Sequence, residues 1–258
     1  MADTLAEALR RRDPDRYYTA LFAPETGRNT LFTLYAFNHE LARAPEAARE
    51  PGLALIRLQW WREVVEGEAR AHEVATPLRA ALSSGRLHGP DLLTMIEARE
   101  REVEGLATLS EWRDWLLQGA GSLAVAAGRT LGAPDAALPS LRALGAGYGV
   151  AGQLRSIGAF ARGGRCLLPA DLLSECGVTA SSVIADPGQP GLAAVREPLV
   201  VVGWQLLGAA VARDRAWIAA ALPAVLARRD LLRPGHAAGR RSLSDRLAVL
   251  AAVARGRA

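Results

Sequence analysis

The amino-acid sequence predicts an all-α fold, and three observations carry that expectation. Half of the 258 residues are hydrophobic but only 5% are aromatic, and Ala, Leu and Arg, which dominate, lose little on entering a helix. Long runs of Val, Ile, Thr and Tyr, which would favour sheet, are missing. Apolar residues recur at helical spacing between Pro and Gly punctuation, as in Leu31, Leu34, Tyr35 and Leu41.

The elements follow in order. Thr4 and Glu7 have capping-box spacing, so a first helix is expected over residues 4–12. Asp13, Pro14 and Asp15 stop it and start the next. Residues 24–27 form a turn, and the amphipathic helix behind it should end near Ala44, because Pro45 clashes with the preceding turn. Residues 53–66 read as a helix closed by Gly67, and 77–84 as a short one closed by Gly85. Trp60 and Trp61 cannot share a helix face, so one should pack inward and the other sit near the surface. Pro90 sits in the first turn of a helix reaching about Val103. Ser110 is expected to cap a helix reaching Leu131, and another spans roughly 135–162.

Within that last helix Gly145, Gly147 and Gly149 read as a surface stripped of side chains for a close neighbour. Each glycine costs up to about 1 kcal/mol of helix propensity, so a packing or cavity reason is expected. Residues 163–169 are irregular and 181–191 a loop. A long apolar helix is expected over 192–222, interrupted at Pro223, then a loop over 233–239 and a final helix over 242–254. No repeat or long linker divides the chain, so residues 1–258 are expected to form one helical bundle.

Composition excludes several chemistries. All 31 basic residues are arginine, which removes a P-loop lysine, a Schiff-base lysine and a Ser-Lys dyad. The net charge of +4 is spread among 27 acidic residues with no basic run, so no nucleic-acid partner is expected. Cys166 and Cys176 lack companions for a metal site and read as ordinary buried thiols in a reducing compartment. His39, His72, His88 and His236 form no metal-protease motif, and no nucleophile-elbow or dinucleotide fingerprint occurs. The N-terminus carries no apolar signal core, and charge-free stretches stop at about fifteen residues, short of a membrane span. A cytoplasmic protein is expected, touching an inner membrane at most peripherally.

Two segments carry the functional reading. The first runs Arg16, Tyr17, Tyr18 to Pro24 and on through Leu31 to Arg43. The second runs from Leu154 and Arg155 through Arg165, Leu168 and Pro169 to Asp171. In order and separation they resemble the phytoene/squalene synthase family, whose members join two prenyl diphosphates head to head inside an all-helical cavity. Residues 58–62 and 97–112 resemble the family's connecting helices, so the resemblance covers about 14–180. It implies a bundle of the trans-isoprenyl diphosphate synthase (terpenoid synthase) type.

The resemblance also marks what is missing. Family members carry Asp-Asp-x-x-Asp just after the Tyr-Ala-Phe that matches Tyr35, Ala36 and Phe37. Here that stretch is Ala42, Arg43, Ala44, Pro45 and Glu46. A second aspartate pair follows the match to Leu154 and Arg155, where this chain has Ser156 and Phe160, and the upstream Gln and Asn fall on Gly149 and Gly152. Ionising a prenyl diphosphate needs Mg²⁺ shared between phosphates and carboxylates on facing helices. An arginine at position 43, about 5 Å from such an ion at an effective dielectric near 20, repels it by roughly 7 kcal/mol. No catalytic residue, metal or cofactor is therefore expected. Tyr35, His39, Arg43, Arg155, Arg162 and Arg165 are read instead as a candidate anion or partner pocket. The competing reading pairs these groups internally with Glu40, Glu46 or Asp171.

Residues 37–42 and 58–61 resemble the wording of a non-catalytic branch of the family, which includes the phytoene-synthase-like assembly factor of mitochondrial respiratory complex I. That implies an inactive protein assisting a respiratory or membrane-enzyme subunit. The alternatives are a prenyl diphosphate-using transferase, or prenyl-lipid binder, with a degenerate site, and a peripheral membrane or nucleic-acid module driven by basic charge.

Overall fold

In the computed structural model the described residues are 2–46, 50–209, 215–233, 241–256 and 258, with the backbone alone for 2–4. Fifteen α-helices and no strand occur among them. The chain opens with α1 (Ala2–Arg12) and α2 (Pro14–Ala20). The Asp13 carboxylate caps α2 by accepting from the Arg16 N–H at 3.1 Å. The first helix starts at Ala2, ahead of the Thr4 expected to cap it.

Next come α3 (Glu25–Glu46), α4 (Pro51–Glu66), α5 (Ala75–Ser83) and α6 (Gly89–Glu104). Helix α3 runs through Pro45 rather than stopping before it. A proline in the last turn forfeits one backbone bond, and the burial of Leu41 and Ala44 holds the turn in place. Trp61 packs inward on Phe37 with ring centroids 5.4 Å apart, while Trp60 stays half-exposed.

The expected helix from Ser110 to Leu131 is three pieces: α7 (Leu109–Leu116), a π-helical turn (Leu117–Gly121) and α8 (Ser122–Thr130). Its cap is Thr108, not Ser110, because Thr108 and Glu111 satisfy each other's N–H groups in a capping box. A short 3₁₀ turn leads into α9 (Leu138–Arg162), which packs against α8, the π turn, α12 (Leu192–Leu207) and α14 (Pro223–Leu231). The glycine row explains how close they come. A Cβ on Gly145 would lie 2.5 Å from the Ala120 carbonyl oxygen, one on Gly147 2.7 Å from Leu207, and one on Gly149 2.9 Å from Ala120.

Two short helices, α10 (Ala170–Glu175) and α11 (Ala180–Ala185), occupy a stretch that included an expected loop. The apolar helix expected over 192–222 ends at Leu207, whose carbonyl accepts from the Arg228 guanidinium at 2.7 Å. The chain resumes with α13 (Ile218–Ala221) and closes with α15 (Leu243–Arg255), where Ser242, expected as the first helical residue, is instead the cap. Most of the loop expected over 233–239, with His236, lies outside the described residues. No helix among the described residues is long and apolar enough to cross a membrane.

Candidate functional site

Helices α3 and α9 face each other across a cavity of about 580 Å³. From α3, residues 38, 39, 42 and 46 recur at helical spacing and turn the same way; from α9, residues 149, 152, 153, 156 and 160 answer them. The two segments singled out in the sequence thus form opposite walls. Trp115, Leu116, Gly119 and Ala120, from α7 and the π turn, complete the apolar side. Nothing lies within 4 Å of a Cβ built on Gly152, so the glycine leaves that volume open.

Of the candidate pocket residues, His39, Arg155 and Arg165 line the cavity, as do Ala42, Glu46, Ser156 and Phe160 at the former aspartate positions. Three do not. Arg43 points away and pairs with Glu40 at 3.3 Å. Arg162 is exposed on the last turn of α9. Tyr35 is buried behind the wall, where the Arg16 guanidinium lies 5.9 Å from its ring centroid and 4.8 Å from that of Tyr148. The expected placement of Arg43 beside a ligand is therefore corrected: the cation next to Glu46 is Arg165, 3.9 Å away.

Each arginine on the wall has a carboxylate partner. Arg12 pairs with Glu40 at 3.6 Å and Arg16 with Asp13 at 2.7 Å. The buried Glu102 is shared by Arg99, at 2.5 Å, and Arg165. Arg155 reaches Asp15 at 3.4 Å and Asp230 at 3.3 Å. Arg241, arriving ahead of α15, binds the same two aspartates, donating to Asp15 at 2.6 and 2.9 Å and to Asp230 at 2.5 and 2.9 Å. With Arg43 and Arg241 included, seven guanidiniums meet six carboxylates, so the basic wall is nearly neutral.

Burial alone would raise the Asp15 pKa, but Arg241, Arg155 and the Tyr148 hydroxyl (3.1 Å) outweigh it and hold the carboxyl below its ordinary value. Tyr148 moves upward, through burial and the neighbouring Asp15, and remains a phenol. Burial and the charge of Arg12 lower the His39 pKa, which leaves the ring neutral at neutral pH. The competing pairing is met at Glu40 and Glu46. Asp171 instead accepts from the Leu109 N–H at 3.0 Å and secures the start of α7.

The residues do not fit a magnesium cluster. Ala42 and Phe160 offer no oxygen, Ser156 only a hydroxyl, and Glu46 stands beside a guanidinium. Among the described residues no three of His, Cys, Asp and Glu converge to hold a metal. Sequence reasoning missed Asp15, Arg16, Glu102, Tyr148, Asp230 and Arg241. Arg16 alone had a signal, as the head of the first segment.

A model of the Squalene/phytoene synthase family matches residues 9–251. The human NADH dehydrogenase (ubiquinone) complex I, assembly factor 6 is 32% identical over 105 residues, 39% of this chain. That match spans only 32% of the human protein. The presqualene diphosphate synthase of Rhodopseudomonas palustris is 28% identical over 200 residues, covering 71% of this chain and 68% of its own length. A crystal structure of a dehydrosqualene synthase in complex with ligand has a TM-score of 0.78 at 15% identity, over 98% of this chain and 95% of that one.

Proposed function

Since the chain belongs to the squalene/phytoene synthase family, we propose that it keeps the family's cavity without its metal-dependent chemistry and acts as an assembly or binding factor. Its partner in this reading is a protein, a subunit of a respiratory complex or another membrane enzyme. One observation carries the proposal. Where the family resemblance places carboxylates on the facing helices, this chain has Ala42, Ser156, Phe160 and a Glu46 already beside Arg165.

Charge supports the same reading. A diphosphate is a multiply charged anion that needs several unpaired cations or metal ions around it. Here Arg12, Arg16, Arg99, Arg155 and Arg165 are each engaged by a carboxylate. The name of the human relative supports the respiratory partner.

The open cavity favours a second reading. About 580 Å³ beside Trp115, Leu116 and Phe160 has room for part of an isoprenoid chain, and one relative is a presqualene diphosphate synthase. Incubation of the purified chain with farnesyl or geranylgeranyl diphosphate, with and without Mg²⁺, separates the two. The proposal expects no magnesium-dependent release of pyrophosphate, together with co-purification of a respiratory-complex subunit from the native host. A coupled prenyl product formed only with Mg²⁺ overturns it.

A further inference from the structure

Helix α15 is apolar on both sides. Val249 and Ala252 are buried on its inner face, which packs on α14. Leu243, Leu247 and Leu250 stand outward at 72%, 53% and 45% exposure. Their spacing of four and three residues places them in one stripe. A helix with a second, outward apolar stripe opposite its buried one is ordinarily covered on that side too.

The patch continues beyond the helix. The Tyr18 hydroxyl donates to the Arg246 carbonyl at 3.3 Å, which sets the end of α2 alongside α15. There Leu21 is 40% exposed, and half-buried Phe22 meets Tyr18 edge-on with centroids 5.4 Å apart. The charges on this face have one sign. Arg246 and Arg255 are exposed, whereas the acid of the helix, Asp245, is buried and engaged by Arg229 and Ser242. On the α2 side Asp15 is buried and engaged by Arg241 and Arg155, and the exposed Glu25, three residues beyond Phe22, opens α3.

We propose that this face rests on an anionic lipid bilayer. The leucines would enter the boundary between headgroups and acyl chains, with Tyr18 and Phe22 at headgroup level. Arg246 and Arg255 would meet the lipid phosphates. A second copy is a poorer occupant, because a twofold contact over the stripe sets Arg246 of one protomer near that of its partner. None of the patch residues lines the cavity, so the inference stands apart from the functional reading above.

Flotation of the chain with phosphatidylcholine vesicles, with and without phosphatidylglycerol, tests it. Flotation is expected only with the anionic vesicles and should weaken as salt rises. The double substitution Leu247→Glu, Leu250→Glu is expected to lower binding at least about tenfold, with the helical circular dichroism unchanged. Ile56→Glu, at a 66% exposed position on α4, is the matched control and should bind as the parent does. Absence of flotation with either vesicle overturns the proposal, as does an equal loss in Ile56→Glu. A double variant that floats normally but loses self-association or a protein partner overturns it too, and assigns the face to protein docking.

Discussion

Asp15 is 6% exposed and accepts hydrogen bonds from Arg241, Arg155 and Tyr148. Asp15→Asn keeps the shape but removes the charge, leaving Asp230 alone against two half-buried guanidiniums. Breaking a buried ion network in this way should cost about 3–5 kcal/mol, measurable by urea denaturation. Arg43→Ala removes an outward pair whose arginine side chain is 49% exposed, and should cost less than about 1 kcal/mol. Equal losses in the two variants would contradict the assignment of Asp15 as the keystone. The sequence could not reveal this pairing, because Asp15 and Arg241 lie at opposite ends of the chain. The lost aspartates were legible, since a substitution at a known motif position needs no knowledge of the partner. The outward turn of Arg43 was not, because one residue past Ala42 on a helix is a rotation of about 100°.

At the scale of elements, α9 carries two kinds of glycine. Gly145 faces Ala120 and Ala124, each 2.5 Å from where its Cβ would be, and one of those atoms is a backbone oxygen that cannot move aside. Gly145→Ala should therefore destabilise by roughly 1–3 kcal/mol, because overpacking exceeds the helix-propensity gain. Gly152 faces the open cavity, so Gly152→Ala should instead stabilise by about 0.5–1 kcal/mol. Thermal unfolding of the two single variants reads both signs. The glycine row itself was legible in the sequence, since three glycines in five helical residues demand a close neighbour. The π turn at Leu117–Gly121 was not, because it interrupts neither the apolar pattern nor the chain direction. The six-residue α10 and α11 are also too short for periodicity to register. At the early stop the Leu207 carbonyl is taken by Arg228, twenty-one residues further on, a partner that no local signal announces.

Over the whole molecule, the fold tolerates wide sequence change, with 15% identity to the dehydrosqualene synthase at a TM-score of 0.78. Apolar spacing and close helix approach decide the bundle, whereas a handful of wall residues decide its chemistry. The same division sets the response to acid. Burial opposes ionisation of Asp245, but Arg229 and Ser242 prevail and hold its pKa at about 2. Asp15 is likewise held down, and burial with Arg12 lowers His39. For all three the folded pKa lies below the unfolded one, so the unfolded chain binds more protons. Each contribution is complete above the unfolded pKa and is lost as pH falls through the folded value. Stability should therefore slip as pH drops from about 6.5, where an unfolded histidine titrates, and then fall more steeply below about 4, where unfolded carboxylates do. The two carboxylates bind Arg241 and Arg229, which anchor α14 and α15 to each other and to α2. Amide hydrogen exchange at decreasing pH should accordingly lose protection in α15 before α9. Asp245→Asn should flatten the stability profile between about pH 4 and pH 2, read from urea midpoints across that range. A variant profile as steep as the parent's would place the acid sensitivity elsewhere in the bundle.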